Sequence, residues 1–295
     1  MKIAFIGDVH GRVLHALAAA AALQHHRGIR LDAVVQVGDL GAYPTPDRMD
    51  GPSRRFAAQN PAEADFFRLL DPAPQLSSAI RLALEQVPPI LFVSGNHEDF
   101  DWLAALHAEA EGAAVVAVDP AGAYRHVACG HQLLVAGQRT AFLGRIESAG
   151  HMDFDAAAYA GLLAAEPGSV DILVTHDGPY GMCQDWRGHT AGSPKLAALI
   201  EHLQPRLHVS GHYHHENGPR TYGRTQSYAL AVLVLPKANP RRPDQADPRQ
   251  QVAPGSIALL DTSTYDVEYI HDGWLAGICG DDLDLRGIIA ASVDG

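Results

Sequence analysis

The sequence predicts an α/β fold, and three observations carry that prediction. Short apolar runs of strand length recur at residues 2–6, 32–37, 89–93 and 170–175. Stretches with helical spacing separate them, the alternation that builds parallel strands covered by helices. The runs also end in residues with chemistry of their own: Asp8, Asp39, Asn96 and His176.

Taken in order, residues 2–6 read as a buried strand. Asp8-Val9-His10-Gly11 is a tight turn into a helix over about 13–26, with Gly28 as its stop. Residues 32–37 form a second buried strand ending in Gly38-Asp39, so the pair makes a βαβ unit with a right-handed crossover. Residues 43–88 read as an insertion, irregular and rich in Pro, Arg and Asp at first, then helical at about 62–70 and 76–86. A segment of this kind between two strand ends either shapes a substrate cleft above the sheet or is a helical crossover with an irregular entrance.

The strand at 89–93 leads into Gly95-Asn96-His97-Glu98 and a helix near 101–110. Glu98, Asp99 and Asp101 are read as acids at that helix start, where the dipole favours them. A strand at 113–118 follows, then short alternating pieces over 124–145, broken by Gly130 and Gly137, that suggest an antiparallel hairpin or meander. A helix at about 156–165 precedes the strand that ends at His176. Ser193-Pro194 opens a helix reaching Leu203, with Ser as cap and Pro in the first turn. Residues 207–210 then lead to Gly211-His212-Tyr213-His214-His215. The tail is expected to hold strands at 228–235, 256–261 and 265–270 without helices, and a mobile loop at about 236–254, dense in Pro, Arg, Asp and Gln. Residues 1–295 are read as a single domain.

Composition narrows the function classes. The chain has 295 residues, 47% hydrophobic and 19% charged, enough for a sizeable core without staples. Three cysteines, at 129, 183 and 279, lack metal-type spacing and point to reduced thiols in a cytoplasm-like compartment. The first apolar run is too short for a signal peptide, and the run at 228–235 is far below the ~20 residues of a membrane helix, so a soluble protein is expected. A net charge of -12 argues against a surface that grips long nucleic acid through its phosphates. Short or terminal phosphates stay open, because local charge decides those.

The chemistry lies in the sum of the strand ends. Asp8, His10, Asp39, Asn96, His176, His212 and His214 all follow predicted strands, and in open α/β sheets such ends converge on one crevice. Each residue alone reads as a turn former or a hydrogen-bonded histidine. That reading would have to hold independently at every strand end. His215, one past His214, is read as exposed or supporting. His25, His26, His107, His126, His131, His151, His189, His202, His208 and His271 lack such company and are read as surface or structural.

The ordered blocks Asp8-Val9-His10, Gly38-Asp39, Gly95-Asn96-His97-Glu98, His176 and Gly211-His212-Tyr213-His214 resemble the signature of the calcineurin-like metallophosphoesterase superfamily. The resemblance covers residues 8–214 and implies a four-layer α/β/β/α sandwich of two mixed sheets flanked by helices. It implies a dinuclear centre in which Asp8, His10, Asp39 and His214 hold one divalent ion and Asp39, Asn96, His176 and His212 the other, with Asp39 bridging. Carboxylate, imidazole and amide oxygen without thiolate suit Mn, Fe, Zn or Co. Two such ions would outweigh Asp8 and Asp39 and present a cationic pocket to an anionic ester, whatever the net charge.

The resemblance further implies hydrolysis of a phosphoester by in-line attack of a metal-activated water or hydroxide, with His97 as the catalytic histidine that protonates the leaving oxygen. The substrate would be a nucleotide or a phosphorylated small molecule. Arg12, beside the first block, and Arg145, after a strand, are candidate substrate contacts. The protein serine/threonine phosphatase branch extends its second block to GD-x-VDRG. Here Gly38-Asp39 runs into Leu40-Gly41-Ala42-Tyr43, so the acid partner of the catalytic histidine and a phosphate-holding arginine are missing there. Gly95 to Leu103 with Thr175-His176-Asp177 is similar to the RNA lariat debranching branch, whose first-block Asp is often Cys but is Asp8 here. Phosphodiesterase is therefore favoured, with phosphomonoesterase or protein phosphatase as the alternative, and a partner-binding scaffold on the same fold as the alternative of another class.

Overall fold

A computed structural model describes residues 1–291 apart from 186 and 241; the part of the 236–254 loop at residue 241 and the chain end at 292–295 lie outside the described residues. The first half runs β1 (Lys2–Ile6), α1 (Val13–Arg27), β2 (Ala33–Gln36), α2 (Gly51–Ala57), α3 (Asp65–Leu70), α4 (Pro74–Gln86), β3 (Ile90–Phe92), α5 (Phe100–Glu109), β4 (Val115–Ala117) and β5 (Tyr124–Val127). After β6 (Gln132–Val135), β7 (Gln138–Leu143), α6 (Ala156–Leu163) and β8 (Ile172–Thr175) comes a short pair, β9 (Cys183–Gln184) and β10 (Thr190–Ala191). The rest is α7 (Pro194–Leu203), β11 (Leu207–Ser210), β12 (Asn217–Tyr222), β13 (Thr225–Ala229), β14 (Ile257–Asp261), β15 (Asp266–Tyr269) and α8 (Leu285–Ala291).

Two mixed sheets result. The first has the order β15-β14-β1-β2-β3-β5-β4, and the second β12-β13-β11-β8-β7-β6. In the first, β1, β2, β3 and β5 are parallel while β14 and β4 pair antiparallel. In the second, β7, β8, β11 and β13 are parallel. Strand alternation makes the layers. Ile3 and Phe5 of β1 face the space between the sheets with Phe142, Ile172 and Val209, whereas Ala4 and Ile6 face α1. Leu173 and Leu143 turn the other way, onto α6 and α7. This is the expected four-layer sandwich. Truncating a fully buried inter-sheet side chain such as Phe142 costs about 3–5 kcal/mol.

The alanine run of α1 explains its place. Its residues from Val13 to Leu23 are all buried, and a helix apolar all round is stable only when enclosed. Gly28 ends it in the left-handed conformation at φ 59°, where its N–H reaches back to the last turn.

Three elements differ from the sequence reading. Residues 124–145 are not one meander: β5 joins the first sheet beside β3, and only β6 and β7 form the hairpin, in the second sheet. Local alternation cannot say which sheet a strand joins. The tail does contain a helix, α8, which packs on α1 and α4. Seven residues with Gly287 inside are too few to show a helical period. The strand expected at 228–235 leaves the ladder after Ala229, and residues 230–234 continue as a buried crossing in which the Leu233 N–H donates to the Asp8 carbonyl (2.8 Å). In the described part of the 236–254 loop, Lys237 N–H donates to Asn60 Oδ1 (2.9 Å), and Val252 pairs with Val234 and Gln251 with Cys279.

Candidate metal centre

The carboxyl ends of β1, β2 and β3 from one sheet, and of β8 and β11 from the other, open on the same end of the sandwich. Donor atoms of Asp8, His10, Asp39 and His214 all lie within 4.8 Å of one another, as do those of Asp39, His176 and His212. Asp39 belongs to both groups. Asn96 joins the second: its Oδ1 is 3.2 Å from His176 Nε2.

The loops that hold these groups are strained for the purpose. His10, Asp39, His212 and His214 take positive φ, between 46° and 69°. That conformation is costly for side chains with a Cβ and persists only where surrounding contacts enforce it. Two glycines show the crowding. A Cβ on Gly95 would lie 2.1 Å from Asp39 Oδ1, and one on Gly211 would lie 2.2 Å from Asp8 Oδ1. The carboxylates are oriented by backbone donors: Asp39 Oδ1 accepts from the N–H groups of Asn96 (2.6 Å) and His97 (2.8 Å), and both Asp8 oxygens accept from His212 N–H (3.0 and 3.1 Å).

The donor chemistry fits bound cations. His10 Nε2 and His214 Nε2 face each other at 3.0 Å, with Asp8 Oδ2 3.1 Å from the latter. Ligands about 2.1 Å from one ion stand about 3 Å apart when they are at right angles. His176 donates its Nδ1–H to the Val37 carbonyl (3.0 Å), which turns Nε2 toward Asp39 Oδ1 at 3.4 Å and toward Asn96 Oδ1. A backbone acceptor on the far nitrogen is how ligating imidazoles are fixed. Burial holds His10 down to about 4 and His212 to about 3, so both are neutral and carry a lone pair.

His97 stands outside both groups. Its ring lies 5.5 Å from that of His10 and its side chain is 23% exposed, so it faces the cleft beside the cluster. Burial alone would lower its pKa, but Asp39 and then Asp50 raise it to about 9. Asp50 supplies what the second block lacked: its Oδ2 accepts from His97 Nδ1 (2.5 Å) and from the Tyr43 hydroxyl (2.8 Å). The sequence does hold a sign of Asp50 as a helix cap before Gly51-Pro52, and its Oδ1 caps α2 through Ser53 N–H (2.7 Å). Its pairing with His97 has no local signature.

Other expected residues fall elsewhere. Glu98 is not a helix-start acid: Asp99 caps α5 through Trp102 N–H, while buried Glu98 accepts from Leu40 N–H (2.6 Å) and Gly95 N–H (2.7 Å), locking the second and third loops together. Arg12 is 1% exposed and faces Glu63 at 3.9 Å, inside the protein. Arg145 lies with its guanidinium 4.3 Å from the Phe100 ring and lines a different groove, with Cys129 and His126. Among the histidines read as structural, His126 is buried in a chain from Ser94 to His107. His208 is buried between Thr175 and Ser227.

Two openings meet at His214. One is a cavity of about 130 Å³ reaching from His10, His97 and His214 to Tyr43, Phe56 and Leu235. The other is an open cleft of about 800 Å³ from His212 and His214 to Asp185, Arg187 and Asp244. No helix among the described residues is long and apolar enough to cross a membrane.

Known proteins match at several levels. The UPF0046 protein K07C11.7 of Caenorhabditis elegans is 31% identical over 61 residues, which is 21% of this chain and 21% of that protein. This chain thus matches about a fifth of that relative's length. A solved crystal structure superposes with a TM-score of 0.54 at 13% identity, covering 91% of this chain and 98% of that one. The Plasmodium protein described as GAP50, the anchor in the inner membrane complex, gives 0.51 at 12% identity, covering 92% and 84%. At such identities the likeness is one of fold. The family model described as calcineurin-like phosphoesterase matches residues 1–216, and with that span and this arrangement of strand-end donors the chain belongs to the calcineurin-like phosphoesterase family.

Proposed function

We propose that the chain hydrolyses phosphodiesters at a centre of two divalent transition-metal ions. The observation that carries this reading is the sharing of Asp39 between two adjacent donor groups. Asp8, His10, Asp39 and His214 would hold one ion, and Asp39, Asn96, His176 and His212 the other. Nitrogen and oxygen donors without thiolate favour Mn, Fe, Zn or Co. What bound ions supply at such a pair is Lewis acidity toward phosphoryl oxygens and water.

The chain's own groups do the rest. Asp50 accepts the Nδ1–H of His97, which leaves Nε2 on the opposite edge of the ring to hand a proton to a leaving oxygen. Tyr43 fixes Asp50, and Glu98 fixes the loops that carry Asn96 and Asp39. The diester preference is supported by the two openings, which give a place to each of two substituents on phosphorus. Among the described residues, the apolar cavity also has no Lys or Arg in its lining to match the second charge of a monoester. Three free cysteines accord with a reducing, cytoplasm-like setting.

The test is the rate on bis(p-nitrophenyl) phosphate against p-nitrophenyl phosphate, with protein loaded separately with Mn, Fe, Co and Zn. A higher kcat/KM on the diester with at least one metal is expected. Preference for the monoester with every metal would favour the phosphomonoesterase reading, and no hydrolysis at all the scaffold reading.

A further inference from the structure

We propose that the cavity beside His97 receives the alcohol that departs, that this alcohol is uncharged, apolar and about the size of a six-membered ring, and that the substituent remaining on phosphorus lies in the polar cleft beyond His214. The inference rests on the hydrolase reading above and adds to it the chemical class of the leaving group and the direction of cleavage.

Size and lining define the occupant. The cavity of about 130 Å³ is walled by Tyr43, Met49, Phe56, Phe67, Val234 and Leu235. An apolar cavity of about 150 Å³ is enough to hold benzene. Beyond the histidines at its inner end, the described lining is mostly aromatic and aliphatic, so a charged group reaching into it would lose its water without finding a partner. The larger apolar share of the wall favours an aryl or short alkyl group over a phosphate, a carboxylate or a sugar.

Position defines the direction. His10 and His214 belong both to the cavity wall and to the first donor group, so phosphorus bound at the centre presents one substituent to the cavity. Among the described residues, His97 lines the cavity and not the polar cleft, whose wall includes Asp185, Arg187, Arg242 and Asp244 together with Tyr213, Leu235 and the histidines. The proton donor thus stands on the side of the apolar substituent. Water adds its oxygen to phosphorus while the bond from phosphorus to the apolar alcohol's oxygen breaks. The proton on His97 goes to that oxygen, and the proton released by water restores His97 through solvent. The products are the apolar alcohol and a phosphomonoester of the polar one.

Benzyl glyceryl phosphate tests this, because its two alcohols are of similar acidity and intrinsic leaving ability does not choose between them. The metal-loaded protein should release benzyl alcohol and glycerol phosphate in at least tenfold excess over glycerol and benzyl phosphate, read by chromatography. Phe56→Trp should fill the cavity and reduce that ratio at least tenfold in protein whose thermal unfolding matches the parent. Phenylphosphonate should also bind at least tenfold more tightly than methylphosphonate by calorimetry, a readout independent of turnover. Equal or reversed products, an unchanged ratio in folded Phe56→Trp, or equal binding of the two phosphonates would each overturn the inference. So would failure to cleave this diester while bis(p-nitrophenyl) phosphate is hydrolysed. Failure on both esters with every metal would instead overturn the hydrolase reading, and this inference with it.

Discussion

The two openings that share His214, Leu235 and Gln245 differ in size, in how open they are and in the charged side chains along their walls. One is small and walled by the 43–67 segment and residues 232–236, with aromatic and aliphatic side chains facing inward. The other is about six times larger by volume and open, and it adds the charged groups Asp185, Arg187, Arg242 and Asp244 to a wall that also holds Tyr213 and Leu235. The donor groups between them come from loops that the fold fixes, whereas both walls come from segments outside the sheets. The lesson is that the donor groups and most of the walls sit on separate parts of the chain, joined where Tyr43 and Asp50 of the 43–67 segment meet His97.

The largest separation of the two sides should come from His97, which faces only the small cavity. His97→Ala is expected to lower kcat by about 10²–10⁴-fold while leaving metal content, read by elemental analysis, unchanged. Loss of metal in that variant would place His97 among the donors and erase the asymmetry. Asp50→Asn should act in the same direction but less, about tenfold, since it removes the partner of His97 Nδ1 and leaves the imidazole in place. An Asp50→Asn protein as active as the parent would break the link between the insertion and the chemistry.

His208 supplies a contrast within the second sheet. It lies four residues before His212 but is fully buried, accepting from Ser227 at Nδ1 (2.6 Å) and donating from Nε2 to Thr175 (2.8 Å). Burial depresses its pKa to about 3. Because the unfolded chain takes up this proton below its ordinary value of 6.5 and the folded one does not, the associated stability is full above 6.5. It is lost as pH falls from there toward 3, about 2 kcal/mol by pH 5. The thermal midpoint should therefore drop between pH 6.5 and 5, with a shallower slope in His208→Asn. An unchanged slope would refute this assignment.

The smallest effect is expected on the open side. His215→Ala should raise KM for a diester about threefold and leave a monoester untouched, because His215 lines only the polar cleft and bonds its own loop at Tyr213 (2.8 Å). Equal effects on both esters would mean that this cleft holds no second substituent.

How much of this was legible beforehand follows the range of the interactions. The strands and their terminal Asp8, Asp39, Asn96, His176, His212 and His214 are local patterns, so a periodic apolar run followed by a ligand type can be read directly. The glycines at 95 and 211 are legible in kind, and the structure gives their reason in the approach of the Asp39 and Asp8 carboxylates. Asp50 and Glu98 were not legible. The His97 that pairs with Asp50 and the Leu40 that donates to Glu98 lie 47 and 58 residues away, and nothing in either neighbourhood encodes those meetings. Arg12 looked like a substrate contact because it follows the first block, yet the backbone from His10 to Arg12 turns its side chain into the interior. The sheet to which β5 belongs and the short α8 escaped for the same reason, being settled by packing across the sandwich.

The central claim is that one carboxylate serves two ions. Elemental analysis of the purified protein after loading and gel filtration, with diester hydrolysis on the same samples, addresses it directly. Two divalent ions per chain are expected in the parent, with both retention and hydrolysis collapsing in Asp39→Asn. An Asp39→Asn protein that keeps two ions and hydrolyses the diester at the parent's rate would contradict it.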